Sequence, residues 1–212
     1  MLAEKYFDLD KKYAYLALGD SYTIGEQVRL VESFPYQTVQ VLRKEGFEFY
    51  APEIIAVTGW TTGELIAAIN NVRLLSSYNF VSLLIGVNNQ YRGRSIEEFE
   101  NEFESLLQKA VHLVNGNEQN VFVLSIPDWG VTPFAEGRDK TAIATQIDEF
   151  NIICEKLSRK YQVTFLDITQ EQREYGSNEE YLVTDQLHPS GKEYAKWTEK
   201  LATAIKFSIV NS

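Results

Sequence analysis

The chain has 212 residues, of which 44% are hydrophobic and 13% aromatic, which predicts one domain with a core that needs neither disulfides nor a structural metal. A formal net charge of −10 argues against nucleic acid and anionic membrane surfaces as partners, because such a chain repels phosphate groups. No stretch approaches the roughly 18 apolar residues of a membrane span, and the N-terminal residues mix both charge signs unlike a signal peptide, so we expect a cytoplasmic protein.

Short hydrophobic runs alternate along the chain with longer segments of helical periodicity. The runs predict β-strands at residues 13–18, 54–57, 80–85, 121–126 and 163–166. The longer segments predict helices at residues 35–44, 64–75, 96–114, 141–160 and 190–207. This alternation predicts an α/β fold, a three-layer αβα sandwich with a five-stranded parallel sheet and flavodoxin-like architecture, as a single domain over residues 1–212.

Residues at the helix ends and on the helix faces agree with these assignments. Pro35 suits the opening turn of the first helix, Gly46 follows that helix, and Ser95 is placed to cap the third helix. Cys154, the only cysteine, and His112 both lie in amphipathic helices. We expect structural roles for both, a buried thiol in the case of Cys154.

In open parallel sheets, function gathers at the carboxyl ends of the strands, and Ser21 follows the first strand there. Gly19 precedes it and relieves crowding where the strand breaks sharply. A serine hydroxyl is a weak nucleophile until a neighbouring base accepts its proton. Thr23 replaces the second glycine of a G-x-S-x-G elbow, which disfavours the larger α/β hydrolases. Read alone, Ser21 also fits an ordinary turn or helix cap.

The candidate base is His188, three residues after Asp185 in the loop before the last helix. In a turn, this spacing lets the carboxylate face one imidazole nitrogen and leaves the other free to accept a proton. Pro189 then restricts the backbone and opens the final helix. The alternative is that His188 caps this helix and Asp185 is an ordinary turn residue.

Two further loops contribute candidate donors for a tetrahedral oxyanion. Gly59 follows the second strand and Asn88 follows the third. Together with the backbone N–H of Ser21, the N–H of Gly59 and the amide of Asn88 form a predicted three-donor oxyanion hole. Each residue alone fits a plain loop role equally well.

Taken in chain order, these pieces resemble the SGNH hydrolase superfamily of GDSL-type lipases and esterases. The matching blocks are Gly-Asp-Ser-Tyr at residues 19–22, Gly59, Gly-Val-Asn at residues 86–88, and Asp-Gln-Leu-His-Pro at residues 185–189. The resemblance spans residues 16 to about 194, and four blocks in the right order are far more specific than one tripeptide.

The resemblance implies an SGNH hydrolase fold and a serine esterase mechanism without metal or cofactor. Ser21 is then the nucleophile, His188 the base and later the acid, and Asp185 the residue that orients the imidazole. One position departs from the family, because Asn89 stands where an aspartate is common. Since Asn88 is retained, we expect activity to persist with altered support of that loop.

Aromatic residues follow several strand ends and are candidates for a substrate pocket; they are Tyr22, Trp60, Tyr91, Trp129 and Phe134. They fit an acyl or alcohol pocket and equally a cover over the core. The loop of Trp129, restricted by two prolines and Gly130, is the best candidate for the side of the pocket that determines substrate specificity. A sugar acetate, a short acyl ester, a lysophospholipid and a thioester are all compatible small-molecule substrates.

Other functions fit the same architecture. Acyl transfer differs from hydrolysis only in the acceptor that enters the site. A non-catalytic flavodoxin-like domain for a ligand or phosphate is the alternative from another class, because hydroxyls and N–H groups at residues 21–25 offer phosphate contacts. An inactive binding module that keeps the pocket is a third reading. The Asp185 and His188 pair favours the esterase, because a phosphate site has no use for it.

Overall fold

The computed structural model describes residues 12–211 of the chain. Residues 1–11, on which the expectation about a signal peptide rests, lie outside that range. The centre of the fold is a parallel sheet of five strands: β1 (Tyr15–Gly19), β2 (Glu53–Ala56), β3 (Phe80–Leu84), β4 (Val121–Leu124) and β5 (Thr164–Leu166). The spatial order of the strands is β2-β1-β3-β4-β5, and each adjacent pair is parallel.

The three inner strands are buried along their whole length, and the two edge strands are partly buried. This matches the sequence, since the inner strands are nearly continuous runs of apolar residues. In the register of the sheet, Gly19 at the end of β1 lies between Ala56 of β2 and Leu84 of β3. The last residues of these three strands therefore lie side by side at one edge.

Eight α-helices surround the sheet in the described part of the chain: α1 (Ser21–Ile24), α2 (Phe34–Lys44), α3 (Thr62–Asn71), α4 (Val87–Tyr91), α5 (Ile96–Leu113), α6 (Lys140–Lys160), α7 (Thr169–Tyr175) and α8 (Gly191–Asn211). Helix α2 packs against α8, whereas α3 packs against α5 and α5 against α6. The two groups cover the two faces of the sheet. The predicted α/β class and three-layer αβα sandwich are confirmed.

The strand order explains where a crevice opens. From β1 the chain crosses to β2 on one side, and it then returns past β1 to reach β3 on the other side. Right-handed crossovers in opposite directions place their helices on opposite faces. The loops that leave β1 and β3 therefore diverge, which is the switch point where flavodoxin-like sheets bind ligands.

Several helices differ from the prediction: α1, α4 and α7 were not among the predicted helices, α3 is shifted, and α8 ends at Asn211 rather than at residue 207. Helix α3 begins at Thr62, two residues earlier than predicted, because Thr61 and Glu64 form a reciprocal capping box, a pattern that the sequence itself carries. It ends at Asn71, four residues earlier than predicted. Helix α7 was not predicted, since its polar sequence has no apolar periodicity. This helix is held by contacts with a distant part of the chain, such as the hydrogen bond that Arg173 donates to Asp128 at 2.9 Å.

Several local predictions are confirmed. The hydroxyl of Ser95 accepts a hydrogen bond from the N–H of Glu98 at 3.1 Å and caps α5. Pro35 lies in the first turn of α2. Cys154 is fully buried on α6, and burial raises the pKa of its thiol. His112 is exposed in the last turn of α5.

Among the helices of residues 12–211, none combines the length and the apolar character that crossing a lipid bilayer requires.

Candidate active site

The loops at the carboxyl end of the sheet enclose a cavity of about 200 Å³. Its lining comes from the loops after β1, β2, β3 and β4 and from the loop before α8. The residues are Ser21, Tyr22, Thr58, Gly59, Val87, Asn88, Tyr91, Trp129, Phe134, Leu187 and His188. Segments far apart in the sequence therefore meet here, at the switch point of the sheet.

Ser21 is the first residue of α1, which starts one residue after β1 ends. Asp20 caps this helix by accepting a hydrogen bond from the N–H of Tyr22 at 3.0 Å. The strand can turn so sharply because Gly19 has no side chain: a Cβ there would lie 2.3 Å from the carbonyl oxygen of Leu84 and 2.0 Å from Thr23 Oγ1. The tight turn places Ser21 on the wall of the cavity.

His188 joins Ser21 to Asp185 through its two ring nitrogens. Its Nε2 lies 2.8 Å from the Oγ of Ser21, and its Nδ1 lies 2.7 Å from Oδ2 of Asp185. Ser21 and His188 are 167 positions apart in the chain. The structure thus brings together the hydroxyl, the imidazole and the carboxylate that the motifs identified.

The carboxylate of Asp185 is held on both of its oxygens. While Oδ2 faces the imidazole, Oδ1 accepts the backbone N–H groups of Leu187 and His188, each at 2.9 Å. Burial by itself raises the pKa of this carboxyl, but the hydrogen bonds from His188 and Leu187 outweigh it and lower the pKa below its ordinary value. Asp185 is therefore ionised at neutral pH.

The loop that carries His188 is held on several sides. The N–H of Val183 donates to the carbonyl of His188 at 2.9 Å, and the N–H of Ser190 donates to Tyr181 at 2.8 Å. The His188 ring also packs against Tyr22, with ring centroids 5.4 Å apart. With 8% of its surface exposed, His188 has little freedom to leave Ser21.

The turn after β2 places on the cavity lining Gly59, whose N–H has no acceptor within residues 12–211. The N–H of Trp60 donates to the carbonyl of Val57 at 3.2 Å, and Gly59 has a φ of 85°, which are the features of a type II turn. Only glycine adopts this φ without strain. Within residues 12–211, the N–H groups of Gly59 and Ser21 donate to no acceptor, although both residues line the cavity.

Asn88 also lines the cavity, but its amide already has partners. Its Nδ2 donates to the carbonyl of Trp60 at 3.0 Å and, at the long distance of 3.4 Å, to Oδ2 of Asp20. Burial raises the pKa of the Asp20 carboxyl to about 7, against the opposing effect of the hydrogen bonds that it accepts. Asn88 therefore links the loop after β1 to the turn after β2.

Asn89, which replaces the aspartate common at this position, is fully buried. Its Oδ1 accepts the N–H of Thr62 at 3.0 Å, and its Nδ2 donates to the hydroxyl of Thr62 at 2.6 Å. That hydroxyl donates in turn to the carboxylate of Glu102. Because its proton is engaged by Glu102, the Thr62 oxygen needs a donor, which an amide supplies and an ionised aspartate does not.

Four of the five predicted aromatic residues line the cavity. Tyr91 and Phe134 present ring edges to Trp129, with centroids 5.3 and 6.1 Å from its ring, and Tyr22 lies beneath His188. Trp60 is absent from the lining. Its ring packs against the hydrophobic core, and its carbonyl, not its ring, faces the site through Asn88.

The position of Trp129 is set by residues that sequence reasoning missed. Its indole N–H donates to Oε1 of Gln90 at 2.8 Å, and Gln90 donates to Gln146 on α6 at 2.7 Å. Thr58, Val87 and Leu187 in the lining were also missed, because nothing in the local sequence indicates the direction of a side chain in a loop. The one sign in the sequence that Gln90 belongs to the site is its position close to the Gly-Val-Asn motif.

Within residues 12–211, no three His, Cys, Asp or Glu side chains are grouped as metal ligands would be.

Comparisons with known proteins identify the family of the chain and relatives of similar fold. A family model described as "GDSL-like Lipase/Acylhydrolase family" matches residues 17–196. A curated relative, the spore germination lipase LipC of Bacillus licheniformis, is 24% identical over 209 residues, which cover 90% of this chain and 95% of the relative.

Solved structures show the same fold. The lipase/acylhydrolase from Enterococcus faecalis has a TM-score of 0.73 at 20% identity, covering 92% of this chain and 96% of the other. Axe2, an acetylxylan esterase from Geobacillus stearothermophilus, has a TM-score of 0.72 at 18% identity, covering 91% and 94%.

Proposed function

Since the chain belongs to the GDSL-like lipase/acylhydrolase family and is therefore a hydrolase of ester bonds, we propose that it cleaves a small carboxylic ester through an acyl-enzyme on Ser21. The observation that carries this proposal is the unbroken chain of hydrogen bonds from Ser21 through His188 to Asp185, which lies on the wall of the cavity.

The protonation of His188 follows from its partners. The ionised carboxylate of Asp185 only accepts hydrogen bonds, so Nδ1 of the imidazole carries the proton. Nε2 is then free to accept the hydroxyl proton of Ser21 as its oxygen attacks the ester carbon. The resulting imidazolium is stabilised by Asp185, and it returns the proton to the departing alcohol. Water repeats the cycle to release the acid.

The charge that develops on the ester oxygen needs donors that are already in place. The unpaired N–H groups of Ser21 and Gly59 are two such donors, since both residues line the cavity and neither N–H has an acceptor within residues 12–211. We assign the amide of Asn88 as the third. Its bond to Asp20, at 3.4 Å, is at the outer limit of a hydrogen bond, so this N–H is the one that turns to the oxyanion.

The size of the cavity favours a short acyl chain. Its volume of about 200 Å³ is below the roughly 300–1,000 Å³ of pockets that take drug-sized ligands. Much of the lining is apolar, with Val87, Leu187 and the rings of Tyr91, Trp129 and Phe134. One similar structure is named an acetylxylan esterase, which is consistent with a small acyl group here. We propose that this cavity holds the acyl part of the ester.

A covalent probe tests the proposed nucleophile directly. The purified chain is expected to hydrolyse p-nitrophenyl acetate and to be inactivated by a fluorophosphonate with one adduct per chain. The phosphorus of the probe mimics the tetrahedral intermediate and stays bound to the attacking oxygen. Peptide mass spectrometry should place the adduct on Ser21.

Prior incubation with a competing ester should protect Ser21 from the probe, whereas heat-denatured protein should not react. Absence of hydrolysis together with absence of labelling would identify a binding module that has kept the fold. An adduct on another serine would contradict the assignment of Ser21.

Trp129 is expected to limit the length of the acyl chain. Trp129→Leu puts a smaller side chain on one side of the cavity. The kcat/KM for p-nitrophenyl decanoate, divided by that for p-nitrophenyl butyrate, should therefore rise roughly tenfold. This is the effect of one or two methylene groups in an apolar pocket. The measurement is the ratio within each variant, which cancels uniform losses of activity.

Trp60→Leu is the matched control, because it removes the same side chain from a position outside the lining. Its ratio should stay at the wild-type value. An equal shift in both variants would indicate a general loosening of the site and would contradict the role of Trp129.

A further inference from the structure

Arg92 follows the last residue of α4, and its side chain reaches the turn that carries Gly59. Its Nη2 donates to the carbonyl of Gly59 at 2.5 Å. The same guanidinium donates through Nη1 to Glu64 at 3.2 Å. One planar group thus joins the turn after β2 to the start of α3.

Asn88, four residues before Arg92, binds the same turn after β2. It donates to the carbonyl of Trp60 at 3.0 Å, and Trp60 is the residue after Gly59. Residues four apart on a helix lie on the same side of it. Two consecutive carbonyls of the turn are therefore held by the side chains of Asn88 on α4 and of Arg92 at its C-terminal cap.

This anchorage matters because of the geometry of the turn. In a type II turn, the hydrogen bond from Trp60 to Val57 leaves the central peptide, between Thr58 and Gly59, outside the turn's own bonding. Its N–H, that of Gly59, donates to no acceptor within residues 12–211. The direction of that N–H depends on what holds the residues on either side of it.

Glu64 fixes the guanidinium in turn. Its carboxylate accepts the N–H of Thr61 at 2.8 Å as part of the cap of α3, and the hydrogen bond from Thr61 lowers the pKa of Glu64 below its ordinary value. A side-chain ion pair with 42% and 45% of its surface exposed contributes little to stability, because water screens it. Its effect is to orient Arg92.

We propose that Arg92 is a positioning residue, which acts through the Gly59 carbonyl to keep the Gly59 N–H aimed at the ester oxygen in the transition state. This inference rests on the proposed function. Arg92 does not touch the substrate in this scheme. It limits the motion of a glycine, the residue with the greatest backbone freedom, and so preserves the preorganisation on which oxyanion stabilisation depends.

The test compares Arg92→Ala with Arg94→Ala, a matched control. Arg94 lies two residues further on, is also exposed, and pairs with Glu98 at 3.4 Å. Arg92→Ala should lower kcat about 10-fold to 100-fold, less than the loss of an oxyanion donor itself, with KM changed less than about twofold. Arg94→Ala should leave both constants unchanged.

Two further measurements separate positioning from support of the fold. Guanidinium ion at low, non-denaturing concentration should restore part of the kcat of Arg92→Ala, because the vacated site is open to solvent. Arg92→Lys should recover only part of kcat, since one ammonium does not reproduce the fork that binds Gly59 and Glu64 together. Tm should change little in either variant.

Equal kcat for Arg92→Ala and Arg94→Ala in an active enzyme would overturn the inference alone. A loss of kcat matched by a fall in Tm, without rescue by guanidinium, would assign Arg92 to the fold instead. If the wild-type chain hydrolyses no ester, the proposed function falls, and the role of Arg92 falls with it.

Discussion

Ser21→Ala is expected to lower kcat for p-nitrophenyl acetate by about 10⁶-fold, as loss of the nucleophile does in serine hydrolases. The variant keeps the oxyanion donors but has no atom that can form the acyl-enzyme. What remains should be hydrolysis by water in the same cavity. Activity is measured from the release of p-nitrophenolate, and KM or the binding of a product acid reports whether the cavity is intact.

Ser105→Ala is the control for Ser21→Ala. Ser105 is exposed on α5, where its hydroxyl donates within the helix to Asn101. Its loss should leave kcat and Tm unchanged. The Tm of Ser21→Ala should lie near that of the wild type, because only one hydrogen bond to His188 is lost. A Ser21→Ala variant that retains wild-type kcat would refute the acyl-enzyme mechanism.

His188→Ala should be as damaging as Ser21→Ala, with kcat again lower by about 10⁶-fold. Without the imidazole, the proton of Ser21 has no acceptor at 2.8 Å and the leaving alcohol has no acid. Because the two side chains act as one unit, the double variant should be no slower than either single variant. The three rate constants are measured on one ester at one pH.

The chain provides a matched control in His112, its only other histidine. His112 is exposed at the end of α5, and His112→Ala should retain wild-type kcat. Losses that add in the double variant would show that Ser21 and His188 act independently. In that case the hydrogen bond between them would not be the basis of the chemistry.

The short helix α4 serves several parts of the site at once. Asn88 and Arg92 hold the turn of Gly59, Asn89 holds the start of α3 through Thr62, and Gln90 holds Trp129. Proposed oxyanion donors and the proposed acyl wall therefore share one support. A substitution in α4 is expected to change rate and specificity together, even where it contacts no substrate.

The amino-acid sequence by itself determined the class of fold and the identity of the central residues. Runs of apolar residues marked the strands, because a strand buried on both faces excludes polar side chains. The short motifs around Ser21, Gly59, Asn88 and His188 predicted the residues of the candidate site, since each motif lies in a loop at a predicted strand end or before the last helix. These signals are local, so they are readable without coordinates.

Only the tertiary structure decided how these residues meet. The contact between Ser21 and His188, the unpaired N–H of Gly59, the placement of Trp60 outside the cavity and the bond from Arg92 to Gly59 all join segments separated in the chain. The physical reason is that a loop side chain takes its direction from the packing of distant elements, to which its sequence neighbours contribute little. Helix α7 follows the same rule, because its polar residues are ordered by Asp128 and not by a pattern of their own.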